Sequence, residues 1–358
     1  MSLKKNRFAW LLALLLSFSL IAAACGDDDD TNADTDAVEE EGDDASEPAE
    51  AGGASGTVNI SGSSTVEPIS SAVAEKFVEV EPDVVVNVDG PGTGDGFELF
   101  CNGETDISDA SRAIKAEEME ACDANGVEFI EIKVGIDGLS VLTNPAFDTL
   151  DCLTFADIYA LVGPESQGFD NWQDAQPIAT ELGSTTEFPD AGLDITAPGE
   201  ESGTYDSFVE IVIEEFNEDR GQEAQTRPDY SSQSDDNAII AGIEGSESSF
   251  GWVGLAFAAE AGDSVKQFEI DGGDGCVAPT EETVADGSYP ISRPLFIYVN
   301  AESAESNPGV APYVDYYLSD EGIASATEVG YVALAEEDFQ PSVDAWEARE
   351  TGTREGEG

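Results

Sequence analysis

The chain contains 358 residues, of which 41% are hydrophobic, so it is long enough for two domains with their own cores. Its 77 acidic residues far outnumber its 13 basic residues, and the formal charge of −64 argues against nucleic acid and anionic membranes as partners. The sequence contains no histidine, which argues against Ser-His-Asp and Cys-His catalysis and against imidazole metal sites.

The N-terminus has the pattern of an export signal over residues 1–24. Basic residues precede the apolar run FAWLLALLLSFSLIAAA. The segment IAAAC resembles a bacterial lipobox and predicts lipidation of Cys25, which would anchor the protein outside the cytoplasm. A transmembrane anchor is the alternative, but the apolar run is short and ends at Cys25.

Residues 25–56 are rich in Asp, Glu, Ala, Gly and Ser. This composition predicts a disordered, self-repelling tether between the lipid and the folded part. The acidity of the whole chain favours adaptation to concentrated salt, with an acidic extracellular protein of ordinary habitat as the alternative.

The folded part is expected to begin near Thr57, and its elements alternate between strands and helices. The predicted strands are 57–62, the segment VVVNVD, which is expected to be buried, the segment TDIS, one long extended stretch over 127–144, and the late segments SFGWVGLAFA and PLFIYVN. The first predicted helix follows Thr65, the second precedes Cys101 and the third covers 154–162. Two more begin at Ser202 and after 234–237, and a terminal pair covers 309–330. In the first helix, Ile69, Val73, Phe77 and Val80 share one face.

Strands that alternate with helices indicate an α/β protein with mostly parallel sheets. In such sheets, ligands bind beyond the carboxyl ends of the strands, where helices begin. Four hydroxyl-rich or glycine-rich turns fit that position: GSSTVEP at 62–68, GPGTGDG at 90–96, DISDASR at 106–112 and ESGTYD at 201–206.

These turns have the chemistry of an oxyanion site, because helix starts present unpaired N–H groups and the positive end of the helix dipole. Hydroxyl groups add further donors, so an acidic protein can still bind an anion locally. Taken singly, each turn is a helix cap or a tight turn, and GPGTGDG lacks the Gly-Lys-Ser/Thr ending of a nucleotide-binding loop.

Four cysteines remain after Cys25, and an even number in an exported chain suggests two disulfides among Cys101, Cys122, Cys152 and Cys276. The sequence allows three pairings. A pair between Cys101 and Cys122 would close a short loop and leave the other two to pair. Zinc is the alternative, but no Cys-x-x-Cys spacing is present, and no metal site or cofactor is expected.

The turns and several other motifs occur in the order found in one protein family. The motifs are GSSTVEP, GPGTGDGFELFCNGETDISDASR, VGIDGLSVLTNP, GPESQGFDNW, ESGTYDSF, SDDNAIIAGI and SRPLFIYVN. Together, over about residues 57–340, they resemble the substrate-binding lipoproteins of the bacterial phosphate-specific ABC transporter. The resemblance implies a two-lobed, periplasmic-binding-protein-like fold of type II, with a two-strand hinge and phosphate buried in the cleft.

The resemblance also implies boundaries and site residues. Lobe I is expected at 57–139 and 290–346, lobe II at 140–289, and a flexible tail at 347–358. Phosphate contacts are expected from the residues of the matching turns: Ser64, Thr65, Thr93, Ser111, Ser202, Gly203 and Thr204. Family members often carry an arginine where this chain has Pro198 and an aspartate where it has Ser111, so Arg112 is predicted to be the cation of the site.

A carboxylate would distinguish protonated phosphate from fully ionised sulfate, because an unpaired buried acceptor is costly. Asp137, at the expected hinge, is the first candidate and Asp109 the second, although both could be structural. The expected function is binding of inorganic phosphate by a monomer and its delivery to a membrane permease, without covalent chemistry. The alternatives are another oxyanion (sulfate, molybdate or tungstate), a secreted phosphatase, and a sensor or adhesion module.

Overall fold

A computed structural model describes residues 53–200 and 202–354. The predicted signal peptide at 1–24, the lipidation site Cys25 and nearly all of the predicted tether lie outside these residues. In the part of the chain that is described, no helix is both long and apolar enough to cross a membrane.

The described strands and helices follow each other in the alternating order that the sequence predicts. The strands are β1 (Gly56–Gly62), β2 (Val84–Asp89), β3 (Ile107–Ala110), β4 (Phe129–Thr143), β5 (Cys152–Thr154), β6 (Asp194–Pro198), β7 (Ser231–Gln233), β8 (Ser249–Gly254), β9 (Lys266–Gln267), β10 (Glu269–Asp271), β11 (Cys276–Val277) and β12 (Ser292–Asn300). The helices are α1 (Glu67–Phe77), α2 (Thr93–Cys101), α3 (Ala116–Asn125), α4 (Phe155–Val162), α5 (Gln176–Glu181), α6 (Gly203–Phe208), α7 (Glu214–Arg220), α8 (Asp236–Glu244), α9 (Leu255–Ala261), α10 (Glu281–Ala285), α11 (Ala301–Ser306), α12 (Val310–Tyr317), α13 (Asp320–Glu328) and α14 (Glu336–Ala348). A π-helical turn, Val209–Ile213, joins α6 to α7.

The main sheet is parallel towards its two edges and antiparallel in its centre. Its strand order is β2-β1-β3-β12-β4-β8-β6-β7. Strands β2, β1 and β3 pair in parallel, as do β8, β6 and β7. The two long strands β4 and β12 pair antiparallel between these groups. The predicted α/β class is therefore confirmed, but parallel pairing holds only outside the central strands.

Strand β4 belongs to both halves of the sheet, because its first part pairs with β12 and its last part with β8. Its residues are almost all buried, as expected for a run of apolar residues covered on both faces. The register between the two long strands places Arg293 opposite Asp137. A charged pair therefore lies in the middle of the sheet, where the two halves meet.

Each half of the sheet carries its own hydrophobic core. One core surrounds the buried aromatic residues Trp172, Phe208 and Trp252, with the rings of Phe208 and Trp252 stacked at 4.0 Å. Another surrounds Phe77 and Tyr313, whose rings meet edge to face at 5.5 Å. Separate cores on either side of a shared central pair of strands are consistent with a two-lobed molecule.

The disulfides among the described cysteines connect Cys101 to Cys122 and Cys152 to Cys276. The prediction of two disulfides is confirmed, and the structure selects one of the three pairings that the sequence allows. The first bond joins α2 to α3. The second joins β5 to β11 at the edges of a separate small sheet of order β11-β10-β5.

Three predictions from periodicity differ from the structure. The segment SFGWVGLAFA is a strand only to Gly254, where α9 begins. Helix α1 ends at Phe77, so Val80 is 56% exposed rather than on its buried face. Strand β2 lies at the edge of the sheet, and its side chains alternate between covered and exposed positions.

Residues 352–354, within the predicted flexible tail, are hydrogen-bonded to β4. The amide of Gly352 donates to the carbonyl of Phe129 at 2.9 Å. Thr353 Oγ1 and the amide of Arg354 donate to the carboxylate of Glu131, at 2.7 and 2.8 Å. Glu131 is fully buried, so its carboxylate needs these donors, and they hold the tail in place.

Candidate functional site

The predicted turns after β1, β2 and β3 come together at the carboxyl ends of these strands. The amide of Gly92 donates to the carbonyl of Gly62, and the amide of Ser63 donates to the carbonyl of Asp109. Gly62 has a φ of +154°, and a Cβ there would lie 2.0 Å from the carbonyl oxygen of Asp109. Only glycine permits this approach, which brings the first turn against β3.

The turn that opens α6 lies directly against the GSST turn from the other half of the molecule. A Cβ on Gly203 would lie 3.2 Å from the carbonyl oxygen of Ser64. Ser202 caps α6 by accepting the amide of Thr204 at 3.2 Å, as the sequence predicts. The helices α1, α2 and α6 therefore all begin at one cleft, and their starts favour negative charge.

Arg293 lies at the bottom of this cleft, on β12. Its Nη2 donates to Thr65 Oγ1 at 2.9 Å and to Ser207 Oγ at 2.6 Å. Its Nε lies 3.6 Å from Asp137 Oδ2, and its Nη1 donates to Glu210. The side chain of Arg293 is only 10% exposed, so these interactions are weakly screened.

Hydroxyl groups from both halves of the molecule surround this arginine. Thr65 Oγ1 and Ser207 Oγ lie 3.1 Å apart. Thr93 Oγ1 and Ser111 Oγ lie 3.0 Å apart, and Ser111 Oγ donates to Glu210 at 3.4 Å. Apart from Glu210, all of these residues are at least nine-tenths buried. The cleft thus combines one guanidinium, several hydroxyl groups and helix starts, which is the donor set of an oxyanion site.

A cavity of about 330 Å³ opens from this cluster to the solvent. Its walls come from the GSST turn, the GPGTG turn and one face of the helix that starts at Gly203. At its edge, Ser64 Oγ donates to Asp206 Oδ2 at 2.6 Å. Thr93 and Glu210 belong both to the lining of this cavity and to the cluster around Arg293.

Asp137 is the predicted selectivity carboxylate, and it lies beside Arg293. It is 2% exposed, and burial raises its pKa, while the charge of Arg293 acts in the opposite direction. Its Oδ2 has no hydrogen-bond donor among the described residues. A buried carboxylate oxygen without a donor can accept a hydrogen bond from a ligand that carries a proton.

Asp109, the second candidate, does not contact this cluster. It is fully buried beneath the first turn, where its Oδ1 accepts Ser70 Oγ at 2.9 Å. Burial raises the pKa of Asp109 to about 7. Its surroundings belong to α1 and α12, because the hydroxyl of Tyr317 lies 3.4 Å from Ser70 Oγ.

Arg112, the predicted cation, is engaged elsewhere. Its Nη1 and Nη2 donate to the two carboxylate oxygens of Glu118, at 2.8 and 2.7 Å, and Nη1 also donates to the carbonyl of Ala113. The structure places Arg293 in the cleft instead. The role of Arg112 as a ligand contact stays a prediction, which the paired substitutions below test.

Three residues of the cleft were not predicted from the sequence, namely Arg293, Ser207 and Glu210. Arg293 lies within the motif SRPLFIYVN, which indicated a strand. An arginine inside an otherwise apolar strand is unusual, and this could have identified it as a functional residue. Ser207 and Glu210 follow the Ser-Gly-Thr turn at helical spacing. They reach the cleft because this helix runs along its wall.

Comparison with known proteins agrees with this fold. The model of the PBP superfamily domain matches residues 47–321. The protein SphX of a Synechocystis strain is 37% identical over 83% of this chain and 84% of its own length. The phosphate-binding protein PstS of Staphylococcus saprophyticus is 33% identical over 81% of this chain and 84% of its own length.

A solved structure is similar as well. The crystal structure of a possible phosphate binding protein from Planctomyces limnophilus has a TM-score of 0.74 and 33% identity. The match covers 82% of this chain and 99% of that one. The fold and cleft define a binding protein with two halves around a central ligand site. The chain belongs to the PBP superfamily, and within it to the family that includes SphX and the PstS phosphate-binding proteins. The family resemblance seen in the sequence is thereby confirmed.

Proposed function

We propose that the protein binds inorganic phosphate outside the cytoplasm and delivers it to an ABC permease for import. The observation that carries this proposal is the buried guanidinium of Arg293 among hydroxyl groups at the starts of three helices. The similarity to the phosphate-binding protein PstS and to a possible phosphate binding protein of known structure supports the choice of anion. Binding and release need no bond to be made or broken, so no catalytic residue is assigned.

The ligand would lie between two lobes, with residues 57–139 and 290–346 in lobe I and 140–289 in lobe II. Lobe I supplies Thr65, Thr93 and Ser111, and lobe II supplies the turn at Ser202 and the hydroxyl of Ser207. A phosphate bound to both sets of donors would favour the closed arrangement, because it gains those contacts only when the lobes meet. Each hydrogen bond to the anion contributes about 1.5–3 kcal/mol.

Selectivity would come from Asp137. Phosphate near neutral pH carries at least one proton, so one of its oxygens can donate a hydrogen bond to this buried carboxylate. Sulfate carries no proton and cannot donate one. Sulfate in the same position would leave an acceptor unpaired and add repulsion between like charges. Another oxyanion is the alternative, because the hydroxyl groups and Arg293 would accept any tetrahedral anion.

Isothermal titration of the purified protein with phosphate, sulfate, molybdate and tungstate tests the proposal. We expect phosphate to bind with a dissociation constant of about 1 μM or lower and sulfate about 100-fold more weakly. The variant Asp137→Asn should reduce this ratio by about tenfold, since an amide can donate to sulfate. Sulfate binding as tight as phosphate binding in the wild type would support the alternative.

We further propose that a lipid on Cys25 anchors the protein, that it acts as a monomer, and that its partner is a permease rather than nucleic acid. The IAAAC motif and the acidic segment after it support the anchor. Mass spectrometry of the membrane fraction should show the acylated cysteine. The variant Cys25→Ala should release the protein into the medium or the soluble fraction, and retention of that variant in the membrane would contradict the anchor.

A further inference from the structure

Glu210 occupies the anion-binding groups of the cleft with its own carboxylate. It accepts Nη1 of Arg293 and Ser111 Oγ, so it bridges the guanidinium and a hydroxyl that are proposed to bind phosphate. Its carboxylate and a phosphate oxygen are both acceptors with negative charge. Arg293 and Ser111 cannot donate fully to both the carboxylate of Glu210 and a bound phosphate.

The charges around Arg293 also indicate that a carboxylate is displaced when phosphate binds. Asp137 and Glu210 both contact this one guanidinium, and Asp206 also interacts with it electrostatically, so carboxylates outnumber the cation. Arg112 interacts electrostatically with Glu210, but its guanidinium is bound by Glu118. Adding phosphate would place a further anionic group beside Arg293, which is unfavourable in a buried site. One carboxylate must therefore move away or be neutralised when phosphate binds.

The two carboxylates differ in their freedom to leave. The side chain of Asp137 is 3% exposed and lies in the middle of the central strands, whereas the side chain of Glu210 is 43% exposed. Glu210 lies on the π-helical turn at the wall of the cavity, so its side chain has room to turn towards solvent. Its long side chain reaches Arg293 by extending across the cleft.

The contacts of this helix also connect the two proposed lobes without a ligand. Ser64 bonds to Asp206 at 2.6 Å, Thr65 Oγ1 lies 3.1 Å from Ser207 Oγ, and Ser111 bonds to Glu210. The first member of each pair belongs to proposed lobe I and the second to lobe II. Glu210 therefore helps to hold the cleft closed by making contacts that a phosphate would otherwise make.

We propose that Glu210 is an internal substitute for the ligand, which occupies Arg293 and Ser111 in the free protein and is displaced by phosphate. This inference rests on the proposed function. It predicts that the wild-type chain binds phosphate more weakly than the donor set allows, because only the fraction of molecules with a vacant Arg293 is competent to bind.

Titration of Glu210→Gln with phosphate tests the inference. The amide keeps the shape of the side chain but removes the charge, so its contact with Arg293 is weaker and easier to displace. We expect phosphate to bind about tenfold more tightly than in the wild type. The matched control is Glu215→Gln, which removes the same charge from an exposed position on the same helix and should change affinity by less than about twofold.

A second variant separates the contact from the general effect of charge. Glu210→Asp keeps the charge but shortens the side chain by one methylene group, so the carboxylate no longer reaches Arg293 in the same way. Tighter binding in both variants supports displacement. Tighter binding in Glu210→Gln alone would show general repulsion and overturn the inference. Unchanged or weaker binding in Glu210→Gln would also overturn it, and weaker binding would mean that Glu210 positions Arg293.

Crystal structures with and without phosphate give an independent readout. We expect the carboxylate of Glu210 to contact Arg293 only in the ligand-free crystal, and persistence of this contact beside bound phosphate would overturn the inference. Failure of the wild type to bind phosphate would instead refute the proposed function. The two failures are therefore distinguishable.

Discussion

The two arginines Arg293 and Arg112 show why residue type and sequence position were not enough to identify the cation. Arg112 follows a hydroxyl-rich turn, where the sequence favoured a ligand contact, but its Nη1 and Nη2 both donate to Glu118, which lies in the first turn of α3. Arg293 lies in an apolar strand, and only the register with β4 brings it to Asp137 and the turns. That register is a long-range property of the sheet.

Substitution of each arginine by alanine should separate these roles. We expect Arg293→Ala to weaken phosphate binding at least about 100-fold, or about 3 kcal/mol, because it removes a buried donor group with charge. Arg112→Ala should weaken it by less than about threefold, since Glu118 already holds that guanidinium. Isothermal titration measures both. A larger loss for Arg112→Ala than for Arg293→Ala would restore Arg112 as the cation of the site.

The buried carboxyl of Asp109 should make stability depend on pH. Its pKa rises from 3.8 to about 7 because it is fully buried. Between these values the folded state holds a proton that the unfolded state has lost, so stability is highest at low pH and falls as pH rises towards 7. The difference of about 3 pKa units corresponds to about 4 kcal/mol as an upper limit.

The variant Asp109→Asn isolates this effect from the many other carboxylates. We expect its stability relative to the wild type to be greater at pH 8 than at pH 5, because the amide never ionises, whereas the wild type continues to lose stability as the pH rises from 5 to about 7. Unfolding in guanidinium chloride at both pH values gives the comparison. The exposed control Asp286→Asn should show no such gain at pH 8, and a difference between wild type and Asp109→Asn that does not change with pH would refute the assignment.

At the scale of elements, most strands and helices followed from periodicity, since burial on one face or both leaves a clear pattern in the sequence. The long strand β4 and the helix at Ser202 are examples. The boundary between β8 and α9 was missed because the apolar run continues across Gly254. The hydrogen bonds of residues 353 and 354 to Glu131 could not be predicted from local sequence, because Glu131 lies more than 200 positions away.

The two disulfides should differ in their contribution to stability because they close loops of different length. The sequence separations are 21 and 124 residues. Loop-closure entropy then predicts that the disulfide Cys101–Cys122 stabilises the fold by about 3 kcal/mol and the disulfide Cys152–Cys276 by about 5 kcal/mol. Replacing Cys152 and Cys276 by alanine should therefore lower the free energy of unfolding by about 1.5 kcal/mol more than replacing Cys101 and Cys122.

Chemical unfolding of the two double variants measures this difference. Neither disulfide contacts the cleft, so both variants should keep the wild-type affinity for phosphate while they remain folded. Equal losses of stability would show that packing around each bond outweighs the entropy of the loop.

At the scale of the whole molecule, the charge of −64 should make the fold dependent on salt. Repulsion among the surface carboxylates destabilises the compact state, and raising the ionic strength from 0.1 to 1 M shortens the Debye length from about 10 to about 3 Å. We expect the melting temperature to rise by more than about 5 °C over this range of potassium chloride. A neutral osmolyte of equal osmolality is the control, and a flat response to salt would refute adaptation to salt.

The α/β class, the family, the four turns and the presence of two disulfides could all be predicted from the amino-acid sequence, because each of these depends on local composition, spacing or motif order. Only the packed molecule shows which cation lies in the cleft, which carboxylates face it and where residues 352–354 bind. Those features depend on the register of β4 against β12 and on contacts between residues far apart in the chain. No local pattern specifies such contacts, because their free energy arises only when the strands and helices pack together.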